Sequence, residues 1–203
     1  MLVSLYYRPD CLKSAFYRIV LREMTWEVTE FDVTLPSSAE QLKLLKKEIG
    51  NSVEPIYPAI FSSEAYSHEI LPTIEYWHER NPSESMYPED PITRLFSRSL
   101  LYRSLRTVVP MWDDILKNQG LGRLVAFADE HEELLSELIK KPSYIRSGSF
   151  SMPSYVEILF ALVYLRKQEV EPIANLEIKK WLKKMAARES FQAVIPQFLQ
   201  ISS

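Results

Sequence analysis

The stretch that decides the fold is Tyr57-Pro58-Ala59-Ile60-Phe61, followed by Ser62-Ser63-Glu64, Ala65-Tyr66-Ser67-His68 and the run from Glu69 to Pro82. A short apolar run that opens on proline suits the first residue of a strand, where no ladder donor is needed. The serines and glutamate that follow make a polar turn, and Ala65 to His68 alternates weakly. From Glu69 the period changes. Leu71, Ile74, Trp77 and His78 fall on related turns, which predicts an amphipathic helix. A proline at the head of a strand is also a place for a cis bond, so Tyr57–Pro58 is expected to be cis.

Toward the N-terminus, Leu2 to Tyr6 reads as a short strand that Arg8-Pro9-Asp10 breaks. Ser14 to Arg22 carries Phe16, Ile19 and Val20 at helical spacing, and Trp26 to Val33 alternates. Strand, helix, strand predicts a βαβ unit. Ser37 or Ser38 is placed to cap the next helix, with Glu40 or Gln41 behind it. That helix carries Leu42, Leu45 and Ile49 on one face, and Gly50 is its expected stop. Residues 1–80 are therefore expected to form βαβ followed by ββα.

Toward the C-terminus, residues 81–91 hold Pro82, Pro88 and Pro91 among polar residues and read as a linker. Residues 92–203 are expected to be all-helical. A long helix runs from Ile92, with Pro110 kinking or breaking it. A second is expected over Leu121–Ile139, and Pro142 to Phe150 reads as irregular. Ser151 is the expected cap of the next helix, with Ser154 at its third position. Tyr155 to Arg166 is apolar on most sides and should be the centre of this domain. A last helix is expected over Asn175–Ala187, with a packed tail from Phe191 to Leu199.

The order proline-strand-hairpin-Glu-helix resembles the thioredoxin-like domain of glutathione transferases. In wording it is closest to the stringent starvation protein A branch of that superfamily. The resemblance rests on Glu75-Tyr76-Trp77-His78-Glu79-Arg80-Asn81-Pro82, on Met86-Tyr87-Pro88-Glu89-Asp90-Pro91, and on Arg94, Arg98 and Leu101-Tyr102-Arg103 beyond. It runs from residue 1 to about 116 and returns over 144–160. It implies an α/β thioredoxin-like domain followed by an all-α transferase-type domain. Pro58 matches the family's cis-proline.

Composition narrows the function classes. Of 203 residues, 46% are hydrophobic, enough for a sizeable core. A net charge of −3 lacks the basic field of a general nucleic-acid binder. One cysteine cannot form an internal disulfide and fits a reducing, cytoplasmic setting. Four glycines leave little room for phosphate-binding loops. No run of 18 apolar residues suggests a membrane span.

The candidates for chemistry cluster near the start. Cys11 lies between the first strand and the first helix, where unpaired amides favour a thiolate. Its setting, Cys11-Leu12-Lys13-Ser14, resembles the Cys-Pro-x-Ser entry of omega-type transferases, with Leu12 in place of proline. Tyr7 and Ser14 are the alternative hydroxyl donors. Their plainer roles are packing between domains for Tyr7 and a helix cap for Ser14. The resemblance implies a glutathione site built on Tyr57, Pro58, Glu69 and Ile70. Here Ile70 replaces the usual hydroxyl residue and Pro72 removes an amide. Losing one or two hydrogen bonds to a charged group costs roughly 1.5–3 kcal/mol each. A vestigial site, with glutathione bound weakly and no resident cofactor, is therefore the expectation. His68, His78 and His131 are dispersed, so no metal site is expected.

The resemblance further implies a protein associated with RNA polymerase and sigma factor, with a contact near Arg80, Pro82, Ser83, Glu84 and Tyr87. Ser83 and Glu84 replace the His-Pro of that branch's Pro-His-Pro. The expectation is a non-enzymatic transcription regulator. The alternatives are a glutathione-dependent transferase or thiol reductase using Cys11, and an adaptor in another complex. A homodimer, or a heterodimer with a related chain, is also implied, with Tyr66, Phe96, Tyr102 and Trp112 as exposed contact residues.

Overall fold

In the computed structural model, which describes residues 2–50, 54–62, 66–116, 121–141 and 152–200, the chain begins with a four-stranded sheet. Its strands are β1 (Leu2–Tyr7), β2 (Glu27–Asp32), β3 (Ala59–Phe61) and β4 (Tyr66–Ser67), in the order β2-β1-β3-β4. β1 and β2 run parallel, with Leu5 opposite Glu30. β3 is antiparallel to β1, with Leu5 opposite Ile60, and β4 is antiparallel to β3. The parallel pair requires a crossover, supplied by helix α1 (Leu12–Glu23). Helices α2 (Ala39–Ile49) and α3 (Ile70–Arg80) complete this part, and Tyr57–Pro58 is cis as expected.

The period-2 pattern of β1 divides the core. Val3, Leu5 and Tyr7 join the large cluster with Phe16, Ile19, Val20, Ile74 and Trp77. Tyr6 points to the other face, where Leu45 and Ala59 are buried against Phe31, Leu42 and Tyr57. Tyr6 and Phe31 stack there with centroids 5.0 Å apart.

Among the described residues beyond these, the regular elements are the helices α4 (Pro91–Ile115), α5 (Leu121–Glu130), α6 (Glu132–Lys140), α7 (Tyr155–Gln168), α8 (Leu176–Ala186), α9 (Glu189–Gln192) and α10 (Ile195–Leu199). This is the expected thioredoxin-like arrangement followed by an all-helical one. α7 is buried from Tyr155 to Tyr164 and packs against both α1 and α4. Aromatic rings make the join: Tyr155 lies 4.9 Å from Tyr87 and 6.3 Å from Phe16 between centroids. Arg188 and Glu23 form a two-pronged ion pair at 2.6 Å, and Arg18 donates to Gln197 at 2.8 Å.

Several local expectations are corrected. α4 remains one helix through Pro110, so the proline does not break it. The helix expected over 121–139 divides at His131, whose ring stacks on Phe127 at 4.2 Å. The cap of α7 is Ser154, three residues later than expected. Ser154 Oγ accepts from the Glu157 amide at 3.1 Å, and the Glu157 carboxylate accepts from the Ser154 amide at 3.0 Å. A complete capping box is thus present, because an acid follows Ser154 at the third position. Ser151 lies outside the described residues, as do Pro142 to Phe150. Ser38 occupies the cap position of α2 but donates its hydroxyl to Asp32 O instead. Among the described residues, no helix is long and apolar enough to cross a membrane.

Candidate functional site

The first strand ends at Tyr7, and the chain turns through Arg8-Pro9-Asp10 into α1. Cys11 is the N-cap residue of that helix, in extended conformation with φ −92° and ψ 127°. Hydrogen bonds hold the turn from several directions. The Cys11 amide donates to Arg8 O at 3.2 Å, and the Arg8 amide donates to Ser14 Oγ at 3.2 Å. From α4, Trp112 Nε1 donates to Asp10 O at 2.9 Å. No side-chain oxygen caps α1, which leaves its first-turn amides for an anion bound beside Cys11. The Arg8 guanidinium is held protonated more firmly than usual, chiefly by its hydrogen bond to Asp10. Burial opposes this, and the nearby carboxylates of Asp10 and Asp113 add to it.

A cleft of about 490 Å³ opens between the start of α1, the start of α3 and the middle of α4. One wall is Lys13, Glu69, Ile70, Leu71 and Pro72; the other is Tyr102, Leu105, Arg106, Val109 and Pro110. Lys13 Nζ lies 3.9 Å from Glu69 Oε1, across the gap between α1 and α3. Lys13 is mostly covered while Glu69 is largely exposed. The charged wall can therefore meet a zwitterionic head group, and the α4 wall offers apolar area with one cation.

The expected residues fare unequally. Cys11 is partly exposed. Ser14 is wholly buried, and its hydroxyl is engaged by the Arg8 amide. Tyr7 is buried in the main core under the Arg18 guanidinium, 4.2 Å from its ring centroid. Burial raises the Tyr7 pKa, with Arg18 opposing, so its phenol stays protonated. Tyr7 is thus a packing residue, whereas Ser14 is not the helix cap foreseen for it: the cap position belongs to Cys11, and the Ser14 hydroxyl ties the preceding turn instead. Glu69 stands at the N-cap of α3, yet its carboxylate does not cap the helix. It faces Lys13 and, at 3.7 Å, His68 instead. Ile70 is buried in the core, which explains an apolar side chain where a hydroxyl would be useful. Thr73, one turn on, does not supply the missing hydroxyl. Its Oγ1 donates to Glu69 O at 2.7 Å and accepts from the buried Tyr17 hydroxyl at 3.0 Å.

At the linker, Pro82 and Ser83 are exposed. Tyr87 is not: it is 1% exposed, and its hydroxyl donates to Glu75 at 2.9 Å. The expected placement of Tyr87 on a solvent-side contact is corrected by this burial. Trp112 is corrected in the same way, since it is 1% exposed and grips the Cys11 turn. Its signal was present in the core spacing Leu101, Leu105, Val108, Trp112, Ile115 along α4. Arg106 belongs to no motif; only its position one helical turn after Tyr102 marks it. Among the described residues, no group of three or more potential metal ligands forms.

No protein-family model matches the chain, and no curated protein matches it. Solved structures do. A glutathione transferase homologue from Sulfitobacter, with bound glutathione, is 20% identical over 98% of this chain and 99% of its own, with TM-score 0.69. A glutathione transferase homologue from a Burkholderia strain, BGR1, also with bound glutathione, is 19% identical over 98% of both chains, with TM-score 0.61. The omega 3C glutathione transferase of Trametes versicolor is 19% identical over 99% of this chain and 89% of its own, with TM-score 0.65. The expectation of a non-enzymatic chain is corrected here, because the structures it matches end to end are glutathione transferases and their homologues, two of them holding glutathione. The shared property is the fold: a thioredoxin-like domain followed by a helical domain, that of the glutathione-transferase superfamily.

Proposed function

We propose that this chain is a glutathione-dependent thiol reductase whose reacting group is Cys11, or a transferase in which Cys11 stands beside the reacting glutathione sulfur. The observation that carries the proposal is the setting of Cys11. It stands at an uncapped helix N-terminus, in a turn held by Ser14 and Trp112, two residues before a lysine of the cleft wall. Glutathione fits the charges of that wall. Its γ-glutamyl ammonium suits Glu69, and its carboxylate suits the Ile70 and Leu71 amides at the start of α3. The main chain at Tyr57, before cis Pro58, is left to align the peptide. The Ile70 side chain and the Pro72 main chain contribute no donor, so binding is weaker than with a hydroxyl residue at position 70.

In the reductase reaction, Cys11 Sγ attacks the glutathione sulfur of a mixed disulfide. The substrate thiolate leaves, and Cys11 is glutathionylated. A second glutathione thiolate attacks that sulfur, forming glutathione disulfide and returning Cys11 as thiolate. In the transferase reaction, the glutathione thiolate bonds to an electrophilic carbon as the leaving group departs with its bonding pair, with Lys13 and the α1 amides offsetting negative charge.

Turnover of a glutathione mixed disulfide, together with mass spectrometry of the trapped protein, tests this. Wild type should gain one glutathionyl group, and Cys11→Ala should lose both the adduct and at least about a hundredfold in turnover. Full turnover in Cys11→Ala would overturn the role of the thiol.

Binding of RNA polymerase and sigma is the finer reading of the resemblance. Exposed Pro82 and Ser83 favour a contact at the linker, while buried Tyr87 is excluded from it. Recovery of polymerase subunits on the tagged protein from its native cell, lost on changing Pro82 and Ser83, would support it.

A further inference from the structure

We propose that the α4 wall of the cleft selects second substrates with an anionic group on an aromatic or apolar body; this rests on the reading of Cys11 and the cleft given above. The two walls differ in charge balance. Lys13 has Glu69 beside it at 3.9 Å. Arg106, on the facing wall, is exposed, and among the described residues no carboxylate forms an ion pair with it. Its contacts are with Tyr102, one turn earlier. Arg106 Nη1 donates to Tyr102 Oη at 3.1 Å, and the guanidinium carbon lies 5.5 Å from that ring's centroid.

This pairing holds a planar, multiply donating cation over an aromatic ring and its hydroxyl. A guanidinium forms two parallel hydrogen bonds to a carboxylate or similar anion. Along the same wall, Leu105, Val109 and Pro110 present apolar surface. A ligand lying there would bury its apolar body against these three and place its anionic group on Arg106. The cleft's volume, about 490 Å³, is within the range of small-molecule sites. A neutral ligand of the same shape would gain the apolar contacts and miss the ion pair.

Calorimetry on the full chain, saturated with glutathione, decides the matter with two probes of one shape: 3,5-dinitrobenzoate and 1,3-dinitrobenzene. Wild type should bind the benzoate about five- to tenfold more tightly, the preference shrinking as salt is raised. Arg106→Gln should abolish that preference, leave the neutral probe unchanged and leave glutathione affinity unchanged. Arg106→Lys should restore only part of it, since an ammonium cannot form the paired contact. Equal affinity for the two probes in wild type would overturn the proposal. So would loss of glutathione affinity in Arg106→Gln, because the arginine would then serve the tripeptide.

Turnover gives a separate arm, with 4-chloro-3,5-dinitrobenzoate against 1-chloro-2,4-dinitrobenzene. In each, a bond forms between glutathione sulfur and the ring carbon as chloride leaves. Arg106→Gln should raise KM for the benzoate alone. Turnover of the neutral compound only, at an Arg106-independent rate, would count against the selected class. Absence of turnover with both, alongside Arg106-dependent binding, would defeat the transferase reaction while upholding the ligand class.

Discussion

At the scale of single residues, chemistry was more legible than orientation. Cys11 could be placed at a helix entry from its neighbours, because a proline-broken strand followed by helical spacing leaves few alternatives. Where Ser14, Tyr87 and Trp112 point could not be read, because each is decided by a partner far away or by the opposite face of its own element. Glu157 shows the cost of such partners. Its carboxylate accepts the Ser154 amide at 3.0 Å and Trp181 Nε1 at 3.3 Å, all within the core. Ser154→Ala should therefore cost about 1–2 kcal/mol of stability, as for other caps. Glu157→Ala should cost more, because it leaves a buried indole donor unpaired. Urea unfolding of the two variants should rank them in that order; equal losses would show that the indole bond contributes nothing. His78 gives a pH signature. Burial, then the charges of Arg94 and Arg98, lower its pKa below the ordinary 6.5. Arg94 Nη1 stands 3.2 Å from His78 Nε2, so that nitrogen accepts and the ring is neutral. Below pH 6.5 the unfolded chain binds a proton that the folded ring resists, so stability falls as pH drops from 6.5 toward the folded pKa. His78→Phe should flatten that part of the stability curve, and an NMR titration of His78 with a midpoint at or above 6.5 would contradict it.

Elements were legible where period and punctuation agreed. β2 and α3 are legible from their periods, because each has one face to bury, while β1 buries both faces and α1 is buried on nearly all sides, so their bounding turns mark them more than their periods do. α4 and α7 are harder, since their ends depend on capping chemistry and on packing around prolines. Pro110 illustrates this: a proline in a helix interior removes the hydrogen bond to the carbonyl four residues back and usually kinks or ends the helix. α4 passes through it because Val108 and Trp112 are buried on either side, anchoring both halves. Packing thus offsets a local cost of about 3 kcal/mol. Pro110→Ala should regain part of that cost and raise the melting temperature, with the gain read in a thermal scan. A lowered melting temperature would mean that the ring's packing in the cleft outweighs the missing bond. The α7 start carries the opposite lesson. Ser151 and Ser154 are alike in sequence, and only the acid three residues after Ser154 distinguishes the true cap.

At the scale of the whole molecule, the order of the sheet strands and their helices was legible, and that of the later helices apart from the break at His131, while the cleft between the two parts was not. Its α4 wall comes from residues thirty or more positions beyond its α3 wall, and their approach depends on α1 packing against α7. The same packing leaves a second apolar feature on the outside. Ile92, Leu95 and Phe96 are 80%, 65% and 43% exposed on the first turns of α4. Ile92 and Phe96 also line a groove of about 400 Å³ with Leu134 and Leu138 of α6. At helical spacing these residues form one stripe, and burying a large apolar side chain contributes about 1.5–3 kcal/mol. A second copy of the chain meeting this stripe across a two-fold axis would place each groove against its counterpart. The expected state is therefore a homodimer, with Phe96 in the contact and Trp112 removed from it by burial. A specific, stable contact of this kind buries more than about 1,000 Å² in total. Sedimentation at micromolar concentration should give about twice the 23.7 kDa of one chain. Phe96→Asp should return it to one chain's mass without unfolding it, because an exposed position tolerates charge in the monomer. Persistence of the dimer in Phe96→Asp would place the interface on another face, and a wild-type protein of single-chain mass would leave the stripe unpaired.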